Sequence, residues 1–228
     1  MRAALALALL TAGIANADPL PHVTCPGHPR CLALIGENQV QLPSAQGNWI
    51  MDLPELPPGD DPDAVITLAE DAPRWWHDHG LIALMQTEKA YYSGGGAHVE
   101  TLILLRPDAP QPALSLPLAG YKTIRACFSQ ADTETRQGYC ADEYDFDAAL
   151  STAPEKARPP ILLYQTTATI FPPGAILDHD NTHLEITPDI SPETVPRCTF
   201  TRSFRWNETT ASYQPDTPLP DCTDFTRL

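Results

Sequence analysis

The chain has 228 residues, with 14 basic against 29 acidic side chains, a formal net charge of −15 and six cysteines. So acidic a chain repels phosphate backbones and anionic membrane surfaces, which argues against nucleic-acid binding and favours metal ions or basic proteins as partners. Twenty-five prolines exclude long helices over most of the length, while a hydrophobic content of 43% suffices for a buried core.

The chain opens on "MRAALALALLTAGIANA". Arg2 precedes an apolar run from Ala3 to Leu10, and the stretch ends in Ala15-Asn16-Ala17, the small-x-small pattern of a secretory cleavage site. The run is far shorter than the roughly 20 residues that span a bilayer. Residues 1–17 are therefore read as a signal peptide, and the mature chain as a soluble monomer, periplasmic or extracellular, with no membrane insertion. Asp18 stands where a lipid-anchored product would need cysteine.

The cysteines fit export. Cys25, Cys31, Cys127, Cys140, Cys198 and Cys222 all follow the leader, and an even count in an oxidising compartment predicts three disulfides. Pairing of neighbours is the simplest choice: Cys25–Cys31, Cys127–Cys140 and Cys198–Cys222. No C-x-x-C pair supports a zinc site instead.

Residues 18–70 read as a Pro-rich N-terminal arm with a short Cys loop, in which "CLALIGENQVQL" supports one or two short strands. Residues 71–228 read as a β-rich domain. The stretch 63–90 is compatible with a helix or with strands. "GLIALMQTEKAYYSGGGAHVETLILLRP" predicts a hairpin, its consecutive glycines supplying positive φ for a tight reversal. "ALSLPLAG" and "YKTIRACFSQ" give two short β-like runs, and "CADEYDFDAALS" alternates cleanly. "PPILLYQTTATIFPPG" is a strand bounded by prolines, and "CTFTRSFRWNETTASYQP" is a last hairpin about Asn207, tied by Cys198–Cys222. Strands at short spacing predict a mainly β, antiparallel sandwich or barrel-like domain.

"YYSGGGAHVETLILLR", "IRACFSQADTETRQGYCADEYDF" and "TASYQPDTPLPDC" resemble stretches of small secreted bacterial proteins without an assigned function, over about residues 90–225. The resemblance implies export and a disulfide-stapled β fold. It implies no cofactor and no catalytic residue.

Two segments carry the densest chemistry: "WWHDHG" at 75–80 and "LDHDNTHLE" at 177–185. On a strand, His77 and His79 point to one face roughly 6.5–7 Å apart, within reach of one ion. His179 and His183 would share a face only on a helix, and the segment is loop-like. A metal site would therefore combine His77 and His79 with His98, His179 or His183, with Asp178 or Asp180 as an oxygen ligand. Three imidazoles and an open position suit zinc or copper. Calcium fits less well, because the sixth and twelfth positions counted from Asp178 are His183 and Asp189 rather than glycine and glutamate. Polar loops remain the plainer reading, and no H-E-x-x-H is present.

Glu143, Asp145 and Asp147 fall on one face of a strand and Tyr144, Phe146 and Ala148 on the other. Three carboxylates in a row suit a basic partner or calcium, or form the solvated face of an edge strand. Tyr91, Tyr92, Phe204, Trp206 and Tyr213, with Trp75 and Trp76, either pack a β core or line a ligand groove. There is no G-x-S-x-G elbow, and paired cysteines leave no thiol for catalysis. The sequence thus favours a non-catalytic binding protein for a basic protein or a small ligand on an acidic, aromatic-lined surface. The alternative is a zinc- or copper-binding metalloprotein, a hydrolase or a metal carrier, built on His77 and His79.

Overall fold

The computed structural model describes residues 33–35, 39–44, 47–52, 64–69, 80–106, 109 and 111–228. The leader, most of the N-terminal arm, the Cys25–Cys31 pairing, Trp75, Trp76, His77 and His79 lie outside the described residues.

β1 (Ala33–Ile35), β2 (Gln39–Ser44) and β3 (Gly47–Asp52) form a three-stranded antiparallel sheet. "GNWIMD" adds a third strand to the one or two that "CLALIGENQVQL" supports. The remaining strands form one large sheet: β4 (Val65–Leu68), β5 (Ile82–Tyr92), β6 (Gly95–Leu105), β7 (Leu114–Arg125), β8 (Ala141–Thr152), β9 (Leu162–Phe171), β10 (Glu193–Thr194), β11 (Thr201–Asn207) and β12 (Ser212–Pro215). Its order is β12-β11-β9-β8-β7-β6-β5-β4, with β10 also on β9. Nearly every strand pairs with its neighbour in sequence, so the sheet is an antiparallel meander.

The sheet coils into a half-barrel. Its last hairpin comes back to the β6–β7 connection: the Tyr213 amide donates to the Ala113 carbonyl at 2.8 Å, and the Arg106 guanidinium lies 5.9 Å from the centre of the Trp206 ring. Of the two expected architectures, the barrel-like one is therefore the closer.

The helix compatible with 63–90 does not form where the chain is described, since β4 and β5 occupy its two ends. Ile82, Leu84, Leu81 and Ala83 are all buried, so both faces of β5 are covered there. Such a strand loses the apolar–polar alternation that would distinguish it from a buried helix segment. The expected β5–β6 hairpin is present, with Tyr92 opposite Gly95. Its glycine requirement has another cause than turn geometry: a Cβ on Gly95 would stand 1.8 Å from the Thr123 carbonyl oxygen on β7.

"ALSLPLAG" and "YKTIR" join into one strand, β7, running through Pro117. Proline is tolerated because the ladder is already interrupted there. The β6–β7 register shifts beside Thr101, the partner of Pro117, and β8 pairs with β7 only over Ala119–Arg125. The Tyr164 hydroxyl spans the resulting gap and donates to the Pro117 carbonyl at 2.6 Å.

The main core lies inside the coil. Leu102, Leu104, Leu114 and Leu116 meet Tyr144, Phe146, Leu162, Tyr164, Phe204 and Tyr213 there. Phe204 and Tyr213 thus serve packing, whereas Tyr91 is 84% exposed. The short helix α2 (Thr223–Thr226) closes this core with Phe225, whose ring meets Tyr144 edge-on at 6.2 Å. Gly120 lets that helix approach, since a Cβ there would stand 2.1 Å from the Phe225 carbonyl oxygen. Cys198–Cys222 fixes the start of α2 to the 3-10 turn before β11. The expected pairing is present, but it anchors the C-terminal helix more than the β11–β12 hairpin.

Cys127–Cys140 encloses a helix absent from the sequence analysis, α1 (Gln130–Thr135). Ser129 and Asp132 form its capping box. The Asp132 carboxylate accepts from the Phe128 and Ser129 amides, both at 2.8 Å, which holds its carboxyl below the usual range. The native state therefore binds this proton more weakly than the unfolded chain. The associated stability is present at neutral pH and fades as pH falls below about 4.

Candidate functional site

The segment 172–192, which contains "LDHDNTHLE", carries no helix or strand. It is held by a buried polar cluster whose central residue is Asn181. Arg136, fully buried at the end of α1, donates to Asp142 Oδ1 at 2.6 Å, to the Asn181 carbonyl at 2.7 Å and to the Tyr139 and Ala141 carbonyls. Asn181 Nδ2 donates to Asp142 Oδ2 at 2.8 Å and to the Ile176 carbonyl, and its Oδ1 accepts from the Ile176 amide. The disulfide loop, the start of β8 and the segment 176–182 are thereby locked together.

The flanking polar groups are exposed and turn inward on the loop. Asp180 Oδ1 accepts from the Thr182 amide and hydroxyl, which lowers its pKa, and the His179 ring Nδ1 stands 3.0 Å from the Leu177 carbonyl. Asp178, His179 and His183 share this loop, whereas His98 lies on β6 with its Nε2 3.4 Å from Glu100 Oε1. Among the described residues no three His, Cys, Asp or Glu side chains group as metal ligands. His77 and His79, on which the metal reading turns, lie outside those residues.

β8 presents the two faces expected of it. Asp142, Tyr144 and Phe146 are buried, while Glu143, Asp145 and Asp147 face outward. The reading of this row as an edge strand is corrected by the sheet order: β8 lies between β7 and β9. The row is framed by neutral partners. Asp145 stands opposite Tyr121 and Thr169, Glu143 opposite Thr123 and Phe171, and Asp147 opposite Ala119 and Thr167. Successive carboxylates two residues apart along a strand are roughly 6.5–7 Å from one another, close enough to repel. Among the described residues none of the three forms an ion pair. Partial burial and the flanking Glu143 and Asp147 raise the Asp145 pKa. Tyr121, next in the cross-strand row, is half-exposed, and its hydroxyl pKa is raised by burial and by Glu143.

No family model, curated protein or solved structure matches this chain. The reading of function therefore rests on the two faces of β8.

The raised pKa of Asp145 has a thermodynamic sign. The folded state holds this proton more tightly than the unfolded chain, so ionising the group disfavours the native state as pH rises through the folded pKa. Asp145→Asn should therefore raise the urea midpoint at pH 7, with solvent screening keeping the gain to at most about 0.5 kcal/mol. The gain should fade as pH falls through the ordinary Asp range near 4 and vanish once the wild-type group is protonated in both states. A lower midpoint at pH 7 would contradict this account.

Proposed function

We propose that this chain is a non-catalytic binding protein of the periplasm or extracellular space, and that the outer face of β8 takes a basic protein partner. The observation that carries the reading is the row Glu143, Asp145 and Asp147, placed on an interior strand among neutral neighbours. A repulsive row lowers stability, and a basic surface laid against it would relieve that repulsion. Tyr121 adds an amphipathic ring beside the charges, a residue type favoured at interfaces. Two disulfides agree with an oxidising compartment, and no helix among the described residues is long and apolar enough to cross a membrane.

Inhibition of a basic exported enzyme such as a lysozyme is one form this binding would take. The test is association with lysozyme at low and at high salt. The reading expects affinity to fall steeply as salt screens the opposed charges. Affinity unchanged across the salt range would sink it.

A further inference from the structure

Aromatic rings stand on both sides of the outward carboxylates of β8. On β7, Tyr121 lies opposite Asp145, and its hydroxyl shares a side-chain hydrogen bond with Thr123, the residue opposite Glu143. The ring therefore leans along β7 toward Glu143. In keeping with this, burial and then Glu143, ahead of Asp145, raise the pKa of its hydroxyl. On β9, Phe171 lies directly opposite Glu143, and the Tyr139 ring meets it edge-on at 5.6 Å. Residues on β7 and β9 are two inter-strand spacings apart, roughly 9.5 Å. Glu143, half-buried, thus lies on the floor of a slot with a ring on either side. Tyr121 is 39% exposed and Tyr139 51% exposed, so the slot opens to solvent.

Elsewhere this chain lays its own arginines on such rings. Arg106 lies 5.9 Å from the centre of the Trp206 ring, Arg125 5.4 Å from Phe128 and Arg202 5.0 Å from Phe200. Among the described residues no cation lies over Tyr121, Tyr139 or Phe171, and Glu143 forms no ion pair. The slot therefore combines a carboxylate and aromatic faces that this chain's described residues leave open to a partner.

The two basic side chains of a partner would fare differently there. A guanidinium is planar, stacks on aromatic faces, sheds water readily and meets a carboxylate with two parallel N–H donors. The lysine ammonium is a compact, strongly hydrated point charge that gains less from a flat slot. We infer that the partner surface on β8 is selective for arginine: a guanidinium enters between Tyr121 and Phe171 and donates a pair of N–H bonds to the Glu143 carboxylate. Asp145 and Asp147 meet further basic groups along the strand. The inference rests on the reading of this face as the seat of a basic protein, and it names the side chain by which that protein is recognised.

The experiment measures, by calorimetry at low salt, the affinity of the full mature chain for hexa-arginine and for hexa-lysine, both acetylated and amidated. Hexa-arginine should bind at least about fivefold more tightly. Tyr121→Leu should bring the two affinities within about twofold, and Tyr139→Leu, on the opposite wall, should lower the ratio by a smaller factor. Both rings are substantially exposed, so unfolding midpoints should stay near that of the wild type. Glu143→Gln should weaken hexa-arginine more than hexa-lysine, whereas Asp147→Asn, beyond the slot, should weaken both alike. Equal affinity of the two peptides for the wild type, or a preference that survives in both Tyr121→Leu and Tyr139→Leu, would overturn the arginine assignment and leave the face a general seat for basic chains. Binding of neither peptide would overturn that broader reading as well.

Discussion

Asp142→Ala should destabilise the protein by about 3–5 kcal/mol, the usual effect of removing one partner from a buried ion pair. Arg136 is fully buried, and Asp142 is the only carboxylate that pairs with it among the described residues. Without that carboxylate a guanidinium stays in the interior with carbonyl acceptors alone, and the Asn181 amide keeps only the Ile176 carbonyl of its two acceptors. Urea unfolding measures the loss, and amide exchange should show the segment 176–182 opening first. The double variant Arg136→Met with Asp142→Leu removes both charges and should recover much of the stability. A loss below about 1 kcal/mol in Asp142→Ala would show that the cluster does not hold this end of the fold.

The second large effect is expected at the C-terminal helix. Phe225 is 1% exposed and fills the space between Tyr144 and the β7–β8 floor, so Phe225→Ala should cost about 3–5 kcal/mol. Gly120→Ala reaches the same place from the other side. Its methyl would meet the Phe225 carbonyl oxygen, a backbone atom that no rotamer change can move away. The helix must then lift, although Cys198–Cys222 keeps the residue just before it tethered. Both variants should lower the thermal midpoint and expose the C-terminal residues to proteolysis while the rest of the sheet persists. Wild-type resistance in Gly120→Ala would contradict the close packing of α2 on β7.

Strand composition made much of the large sheet legible. The β5–β6 hairpin, β8, the proline-bounded β9 and the last hairpin follow alternation or β-branched content, and two of the three neighbour disulfides are present. The exceptions have physical causes. Pro117 divides β7 in sequence but sits where the ladder is already broken by a register shift and a gap. α1 is too short for a 3.6-residue period to show, and its signal was the Ser129-x-x-Asp132 capping box. The 63–90 region was ambiguous because burial on both faces of β5 removes the alternation that marks a half-buried strand.

The site was legible in part. The carboxylate row could be read from spacing along one strand, but strand order is a long-range property, so its place inside the sheet could not. In "LDHDNTHLE" the histidines draw attention, yet Asn181 is the residue that organises the loop. Its partners, Arg136 and Asp142, are distant in sequence. Asp142 adjoins the acidic row in sequence, and parity puts it on the opposite face with Tyr144 and Phe146.

The most direct measurement of the central claim is the affinity of the triple variant Glu143→Gln, Asp145→Asn, Asp147→Asn for a basic protein such as lysozyme at low salt, beside the wild type. The three substitutions remove charge from the outer face of β8 while the inward residues keep their packing, so folding should be retained. The account predicts a drop in affinity of at least about tenfold, with the salt dependence largely gone. Equal affinity in the two proteins, with the fold intact, would contradict it.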